Sequence, residues 1–501
     1  MSGMKTKAND KARSGKCLYK AILLCVILFA SISAFAQTHY VAVNGSDSSG
    51  NGSSQNPWAT ISYAIDNVAD GATILVGAGT YNGQVRLDQQ FTNGIDIRSE
   101  PLYQARLRHN NGAAVICFTC QGVTLEGFDI AHSANNNRGL VIQIQTSDAR
   151  DVVLRNNIIH DSSDNDLLKI NNGTRDILVQ GNLFYNQAGS DEHIDINSVE
   201  NVTVIDNIFF NSASQSVTSS FVLVKDSNGN SDGVVGSKDI DIRRNIFFNW
   251  QGNDGQSFVR IGEDNTPTFE AENVLIENNL MLGNSSRMMR SAFTVGGSKD
   301  IVFQFNTVVG DLPSRSFNRL VQGGIANENI TMRNNLWSDP SGTMGTEGFI
   351  GADVFEALSG ANTSVILDNN AYYNGGNAIP ADTSQQVNIA DDLNAKIGNP
   401  LLPSQNGLVL PTYNGTNFGG GFSTIREVFT DFANRYGRPG PGSVVIDQAS
   451  VANLPSDDLL GSPRGSNADI GAIEVDAEPP IDPAPPRTGS VILTWLMLLL
   501  D

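Results

Sequence analysis

The feature that most restricts this chain is a repeated segment in its middle. Apolar and polar residues alternate for four or five positions, and the segment then turns at an asparagine followed by another apolar pair. It recurs as DVVLRNNIIHDS (151–162), DILVQGNLFYNQ (176–187), NVTVIDNIFFNS (201–212), DIDIRRNIFFNW (239–250), NVLIENNLMLGN (273–284), DIVFQFNTVVGD (300–311) and NITMRNNLWSDP (329–340). The aligned residues are Asn157, Asn182, Asn207, Asn245, Asn279, Asn306 and Asn335, spaced 25, 25, 38, 34, 27 and 29 apart. A period of two is strand periodicity. A strand–turn–strand unit of this length cannot bury its apolar face alone, so units must stack. Propeller blades need more residues than the shortest steps supply. The expected fold class is all-β: a right-handed parallel β-helix, or solenoid, with a short N-terminal capping helix. The repeated Asn suits a tight corner, where it tolerates left-handed backbone and its amide can bond the Asn of the next coil.

The flanks fit one such domain over residues 38–475. Residues 38–82 read as an N-terminal cap: a strand-like Tyr40–Val43, a polar loop closing on Pro57-Trp58, and a helix within 59–69 with Ile61, Ala64, Ile65 and Val68 on one face. Past residue 340 the repeat weakens. Residues 375–475 form an irregular closing region, with 462–474 expected as a closing strand. Residues 1–36 carry a basic stretch, an apolar run and Ala34-Phe35-Ala36, the pattern of a secretory signal peptide. Residues 476–501 are a Pro-rich spacer and a short apolar tail, too short to cross a bilayer. The tail offers membrane or cell-surface attachment. The expected product is a secreted (periplasmic, extracellular or cell-surface) monomer.

Charge narrows the partners. Six of 32 basic but only one of 52 acidic residues lie in the first 36 positions, so the remainder carries −25. That excludes nucleic acid as a partner, which requires a basic face. Cys17 and Cys25 leave with the signal. Cys117 and Cys120 have no second pair for zinc, which leaves a local disulfide or two packed thiols.

The stretch from Gly45-Ser-Asp47 through Pro57-Trp58-Ala-Thr-Ile61 and Asp70-Gly71-x-Thr-Ile74 to Gly79-Thr80-Tyr81 resembles the opening of secreted right-handed parallel β-helix proteins. That group includes calcium-dependent pectate lyases, alginate lyases and chondroitinase B-like enzymes. The resemblance covers most of residues 38–475 and specifies fold better than chemistry.

Chemistry is expected on the strand that precedes each Asn-ended one: LVIQIQ (140–145), LLKIN (167–171), HIDIN (193–197), FVLVKD (221–226), FVRIGE (258–263) and AFTVGG (292–297). With Leu168 and Ile170, Ile194 and Ile196, and Val222 and Val224 inward, Lys169, Asp195, Lys225 and Arg260 should share one outer face, in coils about 5 Å apart. A solvated charge ladder is the plain alternative. Asp161, Asp164 and Asp166 precede Lys169, and Asp191, Glu192 and Asp195 follow one coil later. Converging carboxylates repel unless a cation neutralises them, and an oxygen-only cluster suits Ca²⁺. Turn-forming Asp residues are the alternative here.

Asp164-Asn-Asp-Leu-Leu-Lys169 and Asp191-Glu-His-Ile-Asp195 are similar to the calcium-holding segments of certain β-helix pectate lyases, Asp-x-x-x-x-Lys and Asp-Asp-x-x-Asp. Glu192 departs from the family's Asp, and Asn165 and His193-Ile194 replace its Gly and aromatic residues. The resemblance implies Ca²⁺ held by Asp164, Asp191, Glu192 and Asp195, an acidic uronate-containing polysaccharide as substrate, and a lysine base. Lys225 is the first candidate, beside Arg260, with Lys169 the second. Phe258-Val-Arg260-Ile-Gly262 is similar to the Arg-Ile-Gly strand of alginate and chondroitin lyases, but Phe293-Thr-Val-Gly-Gly lacks the lysine that follows there. A basic lysine needs its pKa lowered from about 10.4. Two other functions stay open: a glycoside hydrolase using Asp191, Glu192 and Asp195, without a Gly-His-Gly motif, and a non-catalytic glycan-binding solenoid.

Overall fold

The repeat folds into three strands per coil. The structure, a computed structural model, describes residues 37–133, 139–189, 191–213, 216–226, 233–287, 289–310, 316–344 and 354–475. Residues 1–36, which carry the expected signal peptide, and the spacer and tail at 476–501 lie outside these residues. One coil runs through Ser237–Arg243, Ile246–Phe248 and Ser257–Ile261. Each strand pairs in parallel with its counterparts in the coils before and after: Val202↔Ile240↔Val274, Phe209↔Phe247↔Met281 and Val222↔Val259↔Phe293. The result is a 22-stranded sheet holding the first two strand columns and a 10-stranded sheet holding the third. This is a parallel β-helix with a continuous apolar interior.

The asparagines form a buried ladder. The backbone N and Nδ2 of Asn157 both donate to Oδ1 of Asn182, at 2.9 and 3.1 Å. The same pair of bonds links Asn182 to Asn207, Asn207 to Asn245, Asn245 to Asn279, Asn279 to Asn306, Asn306 to Asn335 and Asn335 to Asn370. Asp392 ends it by accepting from Asn370. The left-handed backbone falls one residue earlier than expected. Positive φ belongs to Asn156, Gly181, Asp206, Arg244, Asn278, Phe305, Asn334 and Asn369, not to the ladder residues. That preceding residue makes the bend and turns the ladder side chain toward its neighbour.

Helix α1 (Ile61–Asn67) places Ile61, Ala64 and Ile65 in the main core, with Thr60 Oγ1 accepting from Tyr63 N at 3.2 Å. Cys117 and Cys120 form a disulfide. The C-terminal region corrects the expectation of a closing strand at 462–474, which contains none. Instead, helix α2 (Ile425–Phe432), capped by Thr424 and Glu427, buries Ile425, Val428, Phe429 and Phe432. They pack against the outward residues of the middle strands, including Tyr185, Phe210 and Phe248. A strand covered on both faces needs no alternation, which accounts for Ile-Phe-Phe at 208–210 and 246–248.

Candidate functional site

The ten-stranded sheet sets the register of the charged residues. Its outward column runs Gln143, Lys169, Asp195, Leu223, Arg260, Thr294, Arg319 and Glu356. Lys225 faces the outer side where the sequence reading placed it, two residues beyond Leu223 at the end of its strand. It pairs with Asn197, which pairs in turn with Asn171, while Leu223 stands in the column between Asp195 and Arg260. Inward pairing of Ile194 with Val222 and Ile196 with Val224 fixes this register. Lys225 still reaches the same place. Its Nζ lies 2.9 Å from Glu263 Oε2 and 3.9 Å from Asp195 Oδ2. Lys169 Nζ bonds the same Asp195 oxygen and lies 3.7 Å from Asp166 Oδ2. Arg260 Nη1 donates to Glu263 Oε1 at 2.8 Å, so Glu263 bridges Arg260 and Lys225.

The carboxylates that converge are Asp166, Glu192 and Asp195, all buried, with one oxygen of each within 4.8 Å of the others. The main chain locks the group, because Glu192 N donates to Asp166 Oδ1 at 2.9 Å. Asp164 is exposed and lies outside this group. Asp191 is half-buried beside it. Asp166 takes the place that the sequence pattern gave to Asp164, because it stands at the buried foot of the Leu168–Asn171 strand. Glu263 was not anticipated. Its only signal was position, three residues beyond Arg260 on the same strand's exit.

The charges strain against each other. Burial, reinforced by Asp195, pushes the Asp166 carboxyl up to about 7 despite the pull of Lys169. Burial, with Asp166 and Asp195, holds Glu192 well above the usual carboxylate range. Burial also raises Asp191. Burial alone would lower both lysines, but Asp195 and Asp166 outweigh it at Lys169, and Asp195 and Glu263 outweigh it at Lys225. Both ammonium groups are therefore held above their ordinary range. The lowered base required by the sequence reading is not present in the free chain. Glu263 is held low, since Arg260 and Lys225 overcome its burial.

Does this group fit a cation? Asp195 is 1% exposed, and its Oδ1 has no hydrogen-bond partner. A buried acceptor without a partner is costly. Three oxygens within 4.8 Å of each other can all approach one ion at the roughly 2.3–2.6 Å typical of calcium. The all-oxygen donor set suits that ion, although Lys169 now neutralises part of it.

No family model matches the chain, and no curated protein sequence matches it. Solved structures share its fold. Pectate lyase Pel9A is 15% identical with a TM-score of 0.53, and the alignment covers 88% of this chain and 97% of that one. A GH136 lacto-N-biosidase from Eubacterium ramulus is 11% identical with a TM-score of 0.50, covering 76% of this chain and 70% of that one. At these identities the likeness establishes the class: the chain is a parallel β-helix protein.

Proposed function

We propose that this chain is a secreted polysaccharide lyase-like enzyme that cleaves an acidic, uronate-containing polysaccharide by calcium-assisted β-elimination. The observation that carries the reading is the buried Asp195 carboxylate, one oxygen without a partner, shared between Asp166, Glu192 and two lysines. The fold is shared with a pectate lyase and with a lacto-N-biosidase, so carbohydrate chemistry is a natural use of it. Asp166, Glu192 and Asp195 are the residues that would hold calcium. When bound, calcium supplies positive charge for the substrate carboxylate and for the enolate that develops from it.

The remaining work falls to the chain's own side chains. Lys225 Nζ takes the C5 proton, the C4–O4 bond breaks, a C4–C5 double bond forms, and the leaving oxygen takes a proton from water. Lys225 must be neutral to do this. Asp195 and Glu263 hold it charged in the free chain, so the base is released only when those carboxylates take other partners. Arg260 already competes for Glu263. Lys169, bonded to Asp195 and near Asp166, is better placed to neutralise the carboxylates than to act as base.

The test is product chemistry on pectate, alginate and chondroitin, with calcium or with EDTA. Calcium-dependent ultraviolet absorbance of an unsaturated product supports elimination. New reducing ends without that absorbance would show hydrolysis, and no product from any acidic polymer would leave a binding role.

A further inference from the structure

A second cleft lies away from the charged face. It has a volume of about 690 Å³ and opens where the middle strands of successive coils end, at Asn249, Asn284, Gly310 and Tyr373, under the loop that contains Pro400 and Gln405. Among the described residues, none that lines it is Asp, Glu, Lys, Arg or His. The chain carries a net −20, yet this cleft presents no carboxylate from those residues. Burying a carboxylate here would leave it without a cationic partner, which is strongly unfavourable. A sugar of uncharged hydroxyls meets no such penalty.

The lining is equipped for one. Gln405 Nε2 donates to Val309 O at 2.9 Å, which fixes the amide, while its Oε1 is buried without a hydrogen-bond partner. Gly310 has φ +114, and a Cβ there would lie 2.7 Å from Gln405 Nε2 and 2.6 Å from Gly283 O. Only glycine lets the loop amide approach this closely. Asn284 Oδ1 accepts from Asn249 N at 2.8 Å, which holds the opposite wall. Tyr373, on the Ala371–Asn374 strand, is half-buried and pairs with no other ring among the described residues. An unpaired ring in a cleft lined by uncharged Asn, Ser and Gln groups is the combination that saccharide sites use: a flat apolar face for C–H groups and polar groups for hydroxyls.

We propose that this cleft is a second saccharide site that takes an uncharged sugar unit and works independently of the Asp195 face. It would anchor the protein on neutral glycan while the charged face acts on uronate.

The test is calorimetric titration of the protein with neutral tetrasaccharides of xylose, galactose, glucose and mannose, and with tetragalacturonate as the charged control. At least one neutral tetrasaccharide should bind. Tyr373→Ala and Gln405→Leu should each weaken it by about tenfold or more, while Asp195→Asn leaves it unchanged. Asn406→Trp, an exposed substitution at the rim, should block binding without disturbing the fold, as read by the unfolding midpoint. The proposal is overturned if no neutral tetrasaccharide saturates at millimolar concentration. It is equally overturned if tetragalacturonate is the sole binder, or if Asn406→Trp and Tyr373→Ala both bind as well as the unaltered protein.

Discussion

Replacing Asp166 with asparagine should make the metal-free protein more stable, and increasingly so as pH rises. The carboxyl titrates at about 7 in the fold, against 3.8 for an ordinary aspartate. The folded state therefore binds this proton more tightly than the unfolded chain does. Such a group leaves stability intact below the lower value and erodes it as pH rises toward the higher one, after which the loss is constant. About three pH units at ~1.36 kcal/mol each give a cost of about 4 kcal/mol at pH 8, and about 1 to 2 kcal/mol at pH 5. An asparagine in this position cannot ionise, and its amide oxygen can still accept from Glu192 N. Asp166→Asn should therefore gain up to about 4 kcal/mol at pH 8 in EDTA and much less at pH 5. Urea unfolding at the two pH values measures both. A loss of stability at pH 8, or a gain that does not change with pH, would refute the reasoning about this cluster.

Three further outcomes follow from the same geometry. Asn245→Ala removes the acceptor for two bonds from Asn207 and the Nδ2 donor to Asn279 Oδ1, Val204 O and Arg243 O, while the backbone N at 245 still donates to Asn279. At ~1–3 kcal/mol for each group left unsatisfied, it should cost at least about 3 kcal/mol in urea unfolding; a cost under about 1 kcal/mol would show that the ladder is not structural. His160 bonds Asp129 and Asp161, each at 2.8 Å, and these carboxylates raise its pKa although burial opposes them. Its contribution is complete below the unfolded value of about 6.5 and is lost as pH rises through the folded value. His160→Gln should therefore cost more at pH 6 than at pH 9, and an equal cost at both would contradict the assignment. Lys225→Ala should lower unsaturated-product formation by about a hundredfold or more with the fold intact; full activity would remove Lys225 as the base.

Much of the architecture was legible because its causes are local. Period-two alternation gave the strands, and the recurrent Asn gave the ladder, since a buried amide can both donate and accept along a stack. The helix at Ile61–Asn67 followed from the spacing of Ile61, Ala64 and Ile65. What was missed depended on pairing between coils. The inward register of Val222 and Val224 was legible, but that Lys225 stands opposite Asn197 and Leu223 opposite Asp195 depends on how the coils pair. Asp164 fits a spacing pattern, but Asp166 is the residue brought to a buried corner beside Glu192. Helix α2 was invisible because the apolar surface that requires it is supplied by Phe210 and Phe248, far away in sequence. Lowered lysine basicity was required by the chemistry, and it failed because Asp195, and with it the unanticipated Glu263, face the Lys225 ammonium and hold its proton.

The central claim is that the carboxylates around Asp195 form a cation site rather than a self-neutralised ladder. Calorimetric titration of Ca²⁺ into the protein at pH 8 and at pH 5.5 tests it most directly. The expected result is one ion bound at pH 8, weaker binding with proton release at pH 5.5 where Asp166 is protonated, no binding by Asp195→Asn, and unchanged binding by Asp164→Asn. Binding that survives Asp195→Asn, or no binding to the unaltered protein at either pH, would contradict the account.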